Sequence, residues 1–197
     1  IIKKNISFRR TAIRYLDNLV RTLDESAELA IRDKNEVLRI ELIKSSQALT
    51  VASKDRLRLP LYCTGIGKVL LAYMPENEID NYFNTVPLIA YTSNTITDPL
   101  RLKKELSDIR VKEFAIEQEE YEPGFFSVSA PLKDWSGNVV ASIAILSFTL
   151  RISDGKLNDI INQVRNYSYI ISESLGYVEK HSRKPECLPN HIPNLIR

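Results

Sequence analysis

The sequence predicts an α+β domain: a mostly antiparallel sheet with helices packed against it. Three observations carry this expectation. The elements run helix, strands, helices, strands, helix. Strand-like stretches at 26–43 and 114–148 have alternating or β-branched patterns. Short turn signals, Asp33-Lys34-Asn35 and Asp134-Trp135-Ser136-Gly137-Asn138, sit between neighbouring strands.

Residues 1 to about 23 read as a helix, because Ile6, Ile13, Leu16, Leu19, Val20 and Leu23 recur near helical spacing. Its other side is basic, with Lys3, Lys4, Arg9, Arg10, Arg14 and Arg21 set against Asp17. Such a run fits either a connector close to nucleic acid or a solvated helix face. Strands follow at Ser26–Ile31 and Glu36–Ile43. A third extended piece is expected from about Leu49 to Leu61. A helix is expected to about Tyr73, after a Thr64-Gly65-Ile66-Gly67 turn that leaves Lys68 and Val69 in its first turn. Pro75-Glu76-Asn77-Glu78 opens a short helix through Phe83, with proline at a permitted first-turn position. Residues 84–97 are loop-like. Thr97-Asp98-Pro99 is a helix start with Thr97 or Asp98 as the capping side chain and an early proline, and Leu100, Leu102, Leu106, Ile109 and Val111 continue it. Strands follow at Phe114–Glu119, Phe125–Leu132 and Val139–Phe148. Ser153-Asp154-Gly155 begins a long closing helix to Leu175, with Gly176 as its cap. Tyr177 to Arg197, rich in proline and charge, reads as a poorly ordered tail.

Composition limits the function classes. The 197 residues are 44% hydrophobic and 26% charged, which is ordinary for a soluble globular chain. A net charge of +2 argues against a body built to bind nucleic acid. No apolar run is long enough to span a membrane and no signal-peptide pattern opens the chain. Two cysteines, Cys63 and Cys187, make no disulfide framework, so the chain is read as cytoplasmic. It begins Ile1-Ile2-Lys3-Lys4, without an initiator, and is read as the C-terminal part of something longer.

Two stretches can carry chemistry. The first is Leu59-Pro-Leu-Tyr-Cys-Thr-Gly-Ile-Gly-Lys-Val-Leu-Leu-Ala72. A helix start offers unpartnered N–H groups and partial positive charge, and glycine lets an anion approach them. Gly65-Ile66-Gly67-Lys68 is no P-loop, since Val69 stands where a Ser or Thr would hold magnesium. Nor is it a dinucleotide fingerprint, since Leu70 takes the third glycine position. Any anion here is small, and a helix start with nothing bound is the alternative. The second stretch is Phe114 to Leu132. Its strand pair has one apolar face and one bearing Glu117, Glu119, Ser127 and Ser129. Four carboxylates fall between Glu117 and Glu122, and crowding raises the pKa of some, so one can stay protonated and donate to a bound anion. A solvated acidic hairpin is the plainer reading. Acid–base hydrolysis is a further option, with Ser127 or Cys63 as nucleophile. It would need the tail to fold back, because His181 and His191 both lie there. No His or Cys pair has metal-ligand spacing, no cofactor is called for, and Trp135 reads as a packing or interface residue.

Taken together, three pieces resemble the effector-binding domain of the IclR family of bacterial transcription regulators. They are the Leu59–Ala72 stretch, Tyr91-Thr-Ser-Asn-Thr-Ile-Thr-Asp98, and Glu117-Gln-Glu-Glu-Tyr-Glu-Pro-Gly124 continuing to Ser129-Ala-Pro131. The Asp134-Trp-Ser-Gly137 turn and the helix ending at Leu175-Gly176 agree, and the likeness spans about residues 10–178. The resemblance implies a GAF-like or profilin-like fold that senses a small organic acid. It divides the chain into a linker helix (1–24), an effector-binding domain (25–178) and a tail (179–197). DNA would be bound only through an N-terminal winged helix-turn-helix that this chain lacks, in a homodimer or homotetramer. The family's carboxylate effectors are held by backbone amides that correspond to Gly65 and Ile66. An acidic residue, often Asp, corresponds to Glu117, and a strand residue, often Cys, to Ser127. With Ser129 on the same face, the expected effector site is Gly65, Ile66, Glu117, Ser127 and Ser129, with no catalytic or metal residues. Glu117 and Ser127 suit a polar keto or sugar acid better than an aromatic one. The alternatives are a small carboxylate-dependent enzyme and a dimerisation module with a vestigial pocket.

Overall fold

The computed structural model describes residues 2–50 and 57–179, with side chains from residue 9 onward. Helix α1 spans Ile2–Leu23. It ends at Asp24, whose positive φ of 48° turns the chain and whose N–H donates to Val20 O at 2.8 Å. Strands β1 (Ser26–Asp33) and β2 (Glu36–Ile43) form the expected hairpin, with Lys34 at φ 57° in its turn. Of the third extended piece, Arg58–Pro60 is the part that joins the sheet among the described residues, as β3, paired to the start of β2. Residues 51–56 of that expected strand lie outside the described residues.

Helices α2 (Gly65–Ala72), α3 (Glu76–Thr85) and α4 (Pro99–Lys112) follow. Pro75 is the residue before α3 rather than its first turn. Asp98 caps α4 as expected, its carboxylate accepting from the N–H groups of Leu100 and Arg101. Leu100 and Val111 lie on the exposed side of α4 instead of continuing its packed side, which is Leu102, Leu106 and Ile109. Strands β4 (Ala115–Gln118), β5 (Phe125–Lys133) and β6 (Val139–Phe148) come next. A short 3-10 turn at Thr149–Arg151, not anticipated, precedes α5 (Asp154–Ser174). Ser153 caps α5 through Lys156 N–H, and Gly176 takes φ 86° after its end. The expected tail lies outside the described residues from 180 onward.

The six strands make one antiparallel sheet in the order β3-β2-β1-β6-β5-β4. Helices α1 and α5 cover one face. Ala12, Leu16, Leu19, Ile160 and Ile161 there pack on Leu29, Val128, Ile143 and Ile145. The second half of α1 is thus fastened to the sheet by a buried apolar stripe, and its basic side chains take the other side. Helix α2 lies on the opposite face, backed by α4, with Ile66, Val69, Leu70 and Leu71 against Ala30, Ala144 and Leu146. All eight residues of α2 are buried. The domain is α+β, as the sequence predicts.

Candidate functional site

The site forms where the start of α2 meets the polar side of β4 and β5. Side chains alternate along a strand, so Phe126, Val128, Ala130 and Leu132 of β5 enter the α5 side while Ser127 and Ser129 face α2. Register places Glu117 opposite Ser127 and Ala115 opposite Ser129. Helix α2 descends on this row by way of a glycine. A Cβ on Gly65 would lie 2.6 Å from Ser127 Oγ, 2.7 Å from Ser129 Oγ and 3.4 Å from Glu117 Cβ. Only glycine lets the helix sit so close. The structure therefore brings Gly65, Ile66, Glu117, Ser127 and Ser129 to one place.

The helix begins earlier than its sequence suggests. Thr64 is the N-cap, and Gly65, Ile66 and Gly67 are the first helical residues rather than a turn before them. The cap explains this. Thr64 Oγ1 accepts from Gly67 N–H at 3.2 Å and donates to Pro60 O at 2.7 Å, and Thr64 O accepts from Lys68 N–H at 2.8 Å. A Cβ on Gly67 would meet Leu61 O at 2.5 Å, so glycine is required there to fit the chain behind it. The amides of Gly65 and Ile66, by contrast, have no acceptor within the helix. They carry the partial positive charge of the helix start.

Glu117 is fully buried. Its Oε1 accepts from the N–H groups of Glu120 at 2.8 Å and Tyr121 at 3.3 Å, and its Oε2 lies 3.4 Å from Ser127 Oγ, which donates. Burial pushes its pKa up to about 8. The nearby Glu120 adds to the rise, and the two backbone bonds and Lys68 oppose it. The cause is chiefly desolvation, not the crowding of four carboxylates anticipated from the sequence. Ser129 Oγ is fully buried and has no hydrogen-bond partner among the described residues.

The carboxylate beside Glu117 is Glu120, not Glu119. Glu119 sits in the turn after β4 with φ 56°, half-buried, and is off the polar face on which the alternation placed it. Glu120 is buried and its Oε1 accepts from Lys68 Nζ at 2.5 Å, while its Oε2 has no partner. Lys68 is 1% exposed and also donates to Ile116 O at 2.9 Å and Glu105 at 3.3 Å. Burial alone would lower the lysine pKa, but Glu120 and Glu105 outweigh it and raise it. Residue 68 thus belongs to the site's floor, a role its sequence position alone did not suggest. The available signal was a single lysine in the otherwise apolar run Gly65–Ala72.

The loop at 91–95 clamps the turn that presents Glu120. Thr95 Oγ1 donates to Glu120 O at 2.6 Å and receives the N–H groups of Tyr91 and Thr92, both at 3.0 Å. The Tyr91 ring meets Tyr121 edge-on at 5.0 Å and Tyr62 at 6.4 Å. Tyr62 OH in turn donates to Ile89 O at 2.7 Å. Cys63 is buried beside the site, and burial, Glu120 and Glu117 push its thiol up to about 12. This removes it as a ready nucleophile. His181 and His191 lie outside the described residues. Among the described residues no group of three or more His, Cys, Asp or Glu is placed to hold a metal, and no helix is long and apolar enough to cross a membrane. Trp135 is 75% exposed at its hairpin tip.

Comparison with known proteins places this architecture. The HTH-type transcriptional regulator KipR of Bacillus subtilis is 28% identical over 177 residues, 90% of this chain and 71% of that protein. The HTH-type transcriptional regulator KdgR of Escherichia coli is 30% identical over 174 residues, 88% of this chain and 66% of that protein. The crystal structure of the Thermotoga maritima IclR superposes with a TM-score of 0.81 at 31% identity, covering 86% of this chain and 69% of that one. The C-terminal domain of E. coli KdgR gives 0.77 at 29% identity, covering 86% of this chain and 99% of that domain. These relatives are transcriptional regulators, not enzymes. The family described as "Bacterial transcriptional regulator IclR C-terminal" matches residues 3–173, and the chain belongs to it.

Proposed function

We propose that this domain senses a small carboxylic acid, of the keto or sugar acid class, and reports its presence to the DNA-binding part of a full-length cytoplasmic regulator. The carboxylate is held by the amides of Gly65 and Ile66, with Glu117, Ser127 and Ser129 hydrogen-bonding the rest of the ligand. The single observation that carries this reading is Ser129 Oγ. It is fully buried and without a partner beside an amide-bearing helix start. An unsatisfied buried hydroxyl costs roughly 1–3 kcal/mol, and a ligand that fills its bond removes that cost. The polar lining favours a hydroxylated or keto acid over an aromatic one. In this reading α1 links the domain to the DNA-binding part, the regulator works as a homodimer or homotetramer, and the ligand acts through its differential affinity for two arrangements of the assembly.

The test is a thermal-shift screen of the chain against small carboxylic, keto, sugar and aromatic acids. A ligand at about one hundred times its Kd stabilises the folded state by roughly 2.7 kcal/mol. The expected hit is a keto or sugar acid whose shift disappears in E117A. Tight binding of aromatic acids alone would overturn the ligand class.

A further inference from the structure

Every buried charge in the site is committed before a ligand arrives. Lys68 Nζ spends its three donors on Glu120 Oε1, Glu105 Oε1 and Ile116 O. None of these bonds goes to Glu117, whose own hydrogen bonds come from two backbone N–H groups and Ser127. The groups that face Glu117 can be named element by element. Lys68 and the neutral thiol of Cys63 come from α2 and the residue run leading into it. Glu120 and Tyr121 come from the turn after β4, and Ser127 and Ser129 come from β5. Glu105 of α4 stands behind Lys68. The sole cation among them is already matched by two carboxylates. A ligand carboxylate at the Gly65 and Ile66 amides would therefore meet Glu117 as a second anion in a dry site, with only partial helix charge to offset both.

Resting on the carboxylate-sensor reading, we infer that Glu117 binds the ligand in its neutral form, as a hydrogen-bond donor, so that anion and proton are held together. Lys68 is the positioning residue of this arrangement. Its hydrogen bond to Glu120 favours the ionised form there, and Glu117 receives no such bond. Burial raises both carboxyls and Lys68 opposes the rise at both, but only Glu120 has the lysine's hydrogen bond, while Glu117 is raised to about 8. Glu117 O–H then donates to a ligand oxygen while its other oxygen keeps the backbone bonds to 120 and 121. The site distinguishes carboxylates from neutral analogues by amide bonds and admits the negative charge only while Glu117 keeps its proton. Affinity is then level in mild acid and falls as pH rises past the Glu117 midpoint. An anion restricted to the protonated form loses about tenfold in affinity between about pH 6 and about pH 9.

Two measurements test this on the whole chain. First, carbon-13 NMR of labelled glutamate carboxyls, with E117Q to assign the signal, should give a ligand-free Glu117 midpoint near 8; a midpoint in the ordinary carboxylate range overturns the inference. Second, sodium acetate, almost wholly ionised at both pH values, is titrated while the Gly65 and Ile66 amide shifts are followed. Binding should weaken about tenfold from pH 6 to pH 9 in the native chain. It should be pH-independent in E117Q, and E117D should retain a pH step. Equal affinity at both pH values in the native chain overturns the inference. Acetate without effect on those amides at either pH overturns the carboxylate site itself, while the NMR midpoint still decides where the proton resides.

Discussion

The two faces of the sheet bury polar groups in different ways. On the α1 and α5 face, the buried serines Ser147, Ser168 and Ser172 are all matched. Ser168 Oγ donates to Pro131 O at 2.5 Å, and Ser172 Oγ donates to Ser168 O and accepts from Lys133 N–H. The buried carboxylate at the end of that face, Glu25, has Lys156 Nζ at 2.6 Å, Ser147 Oγ at 2.9 Å and Arg151 at 3.5 Å. On the α2 face, among the described residues, Ser129 Oγ, Glu120 Oε2 and the hydroxyls of Tyr73 and Tyr82 have no partner, and Glu117 is buried with no cation in hydrogen-bond contact. Burying such groups unmatched is unfavourable. The α2 face thus tolerates more of this cost, part of it where a helix start and two strand serines converge. Local departures from good packing chemistry gather at functional sites.

The comparison breaks most sharply at Lys68. Lys68→Met strands Glu120 as a buried carboxylate, and the expected loss is about 3–5 kcal/mol at neutral pH, read from urea midpoints. The loss should shrink in acid, where Glu120 takes a proton. Ile161→Ala probes the other face. There the expected loss is about 2–5 kcal/mol and is independent of pH, because no charge is exposed or stranded. Equal pH dependence in both variants would mean that the two faces do not differ as described.

Glu117→Gln sharpens the contrast through the sign of its pH effect. The Glu117 pKa rises from 4.5 in a solvated chain to about 8 when folded. Below the unfolded value both states hold the proton and burial costs nothing extra. Between the two values the unfolded chain releases its proton and the folded one keeps it. Stability from this group is therefore full below about pH 4.5, falls as pH rises through the interval, and levels off beyond about 8. The glutamine variant lacks this dependence. Its unfolding midpoint relative to the native chain should rise steadily from pH 5 to pH 8, and a constant difference would refute the buried, protonated state.

These contrasts also show which features could be read from the residues alone. The hairpins at Asp33-Lys34-Asn35 and Asp134–Asn138, the cap at Asp98 and the start of α5 at Ser153 lie in local chemistry, and each was legible. Side-chain alternation placed Ser127 and Ser129 on one face correctly, because a strand has a fixed period. The same rule misplaced Glu119, because β4 stops at Gln118 and the chain turns at positive φ. Thr64 does not read as a cap from the sequence, because glycines at 65 and 67 read as a turn. Only the packed structure shows that Ser127 and Leu61 require them to be glycine inside a helix. The partnership of Lys68 with Glu105 and Glu120 joins residues 37 and 52 positions apart and leaves no local mark.

The smallest effect is the most discriminating, and it compares two serines. Ser168→Ala removes a hydroxyl that satisfies Pro131 O in a packed interior and should cost about 1 kcal/mol. Ser129→Ala removes a buried hydroxyl that satisfies nothing, so stability should stay level or rise by up to about 1 kcal/mol. Both substitutions delete one oxygen from a fully or nearly fully buried serine, so lost packing is about the same in each. The difference between them isolates the hydrogen bond. Any acid that stabilises the native chain should stabilise Ser129→Ala less, and Ser168→Ala by the same amount as before. A cost at Ser129 equal to that at Ser168 would mean that Ser129 Oγ is bonded in solution, by water or by protein. Its place as a waiting ligand contact would then be lost.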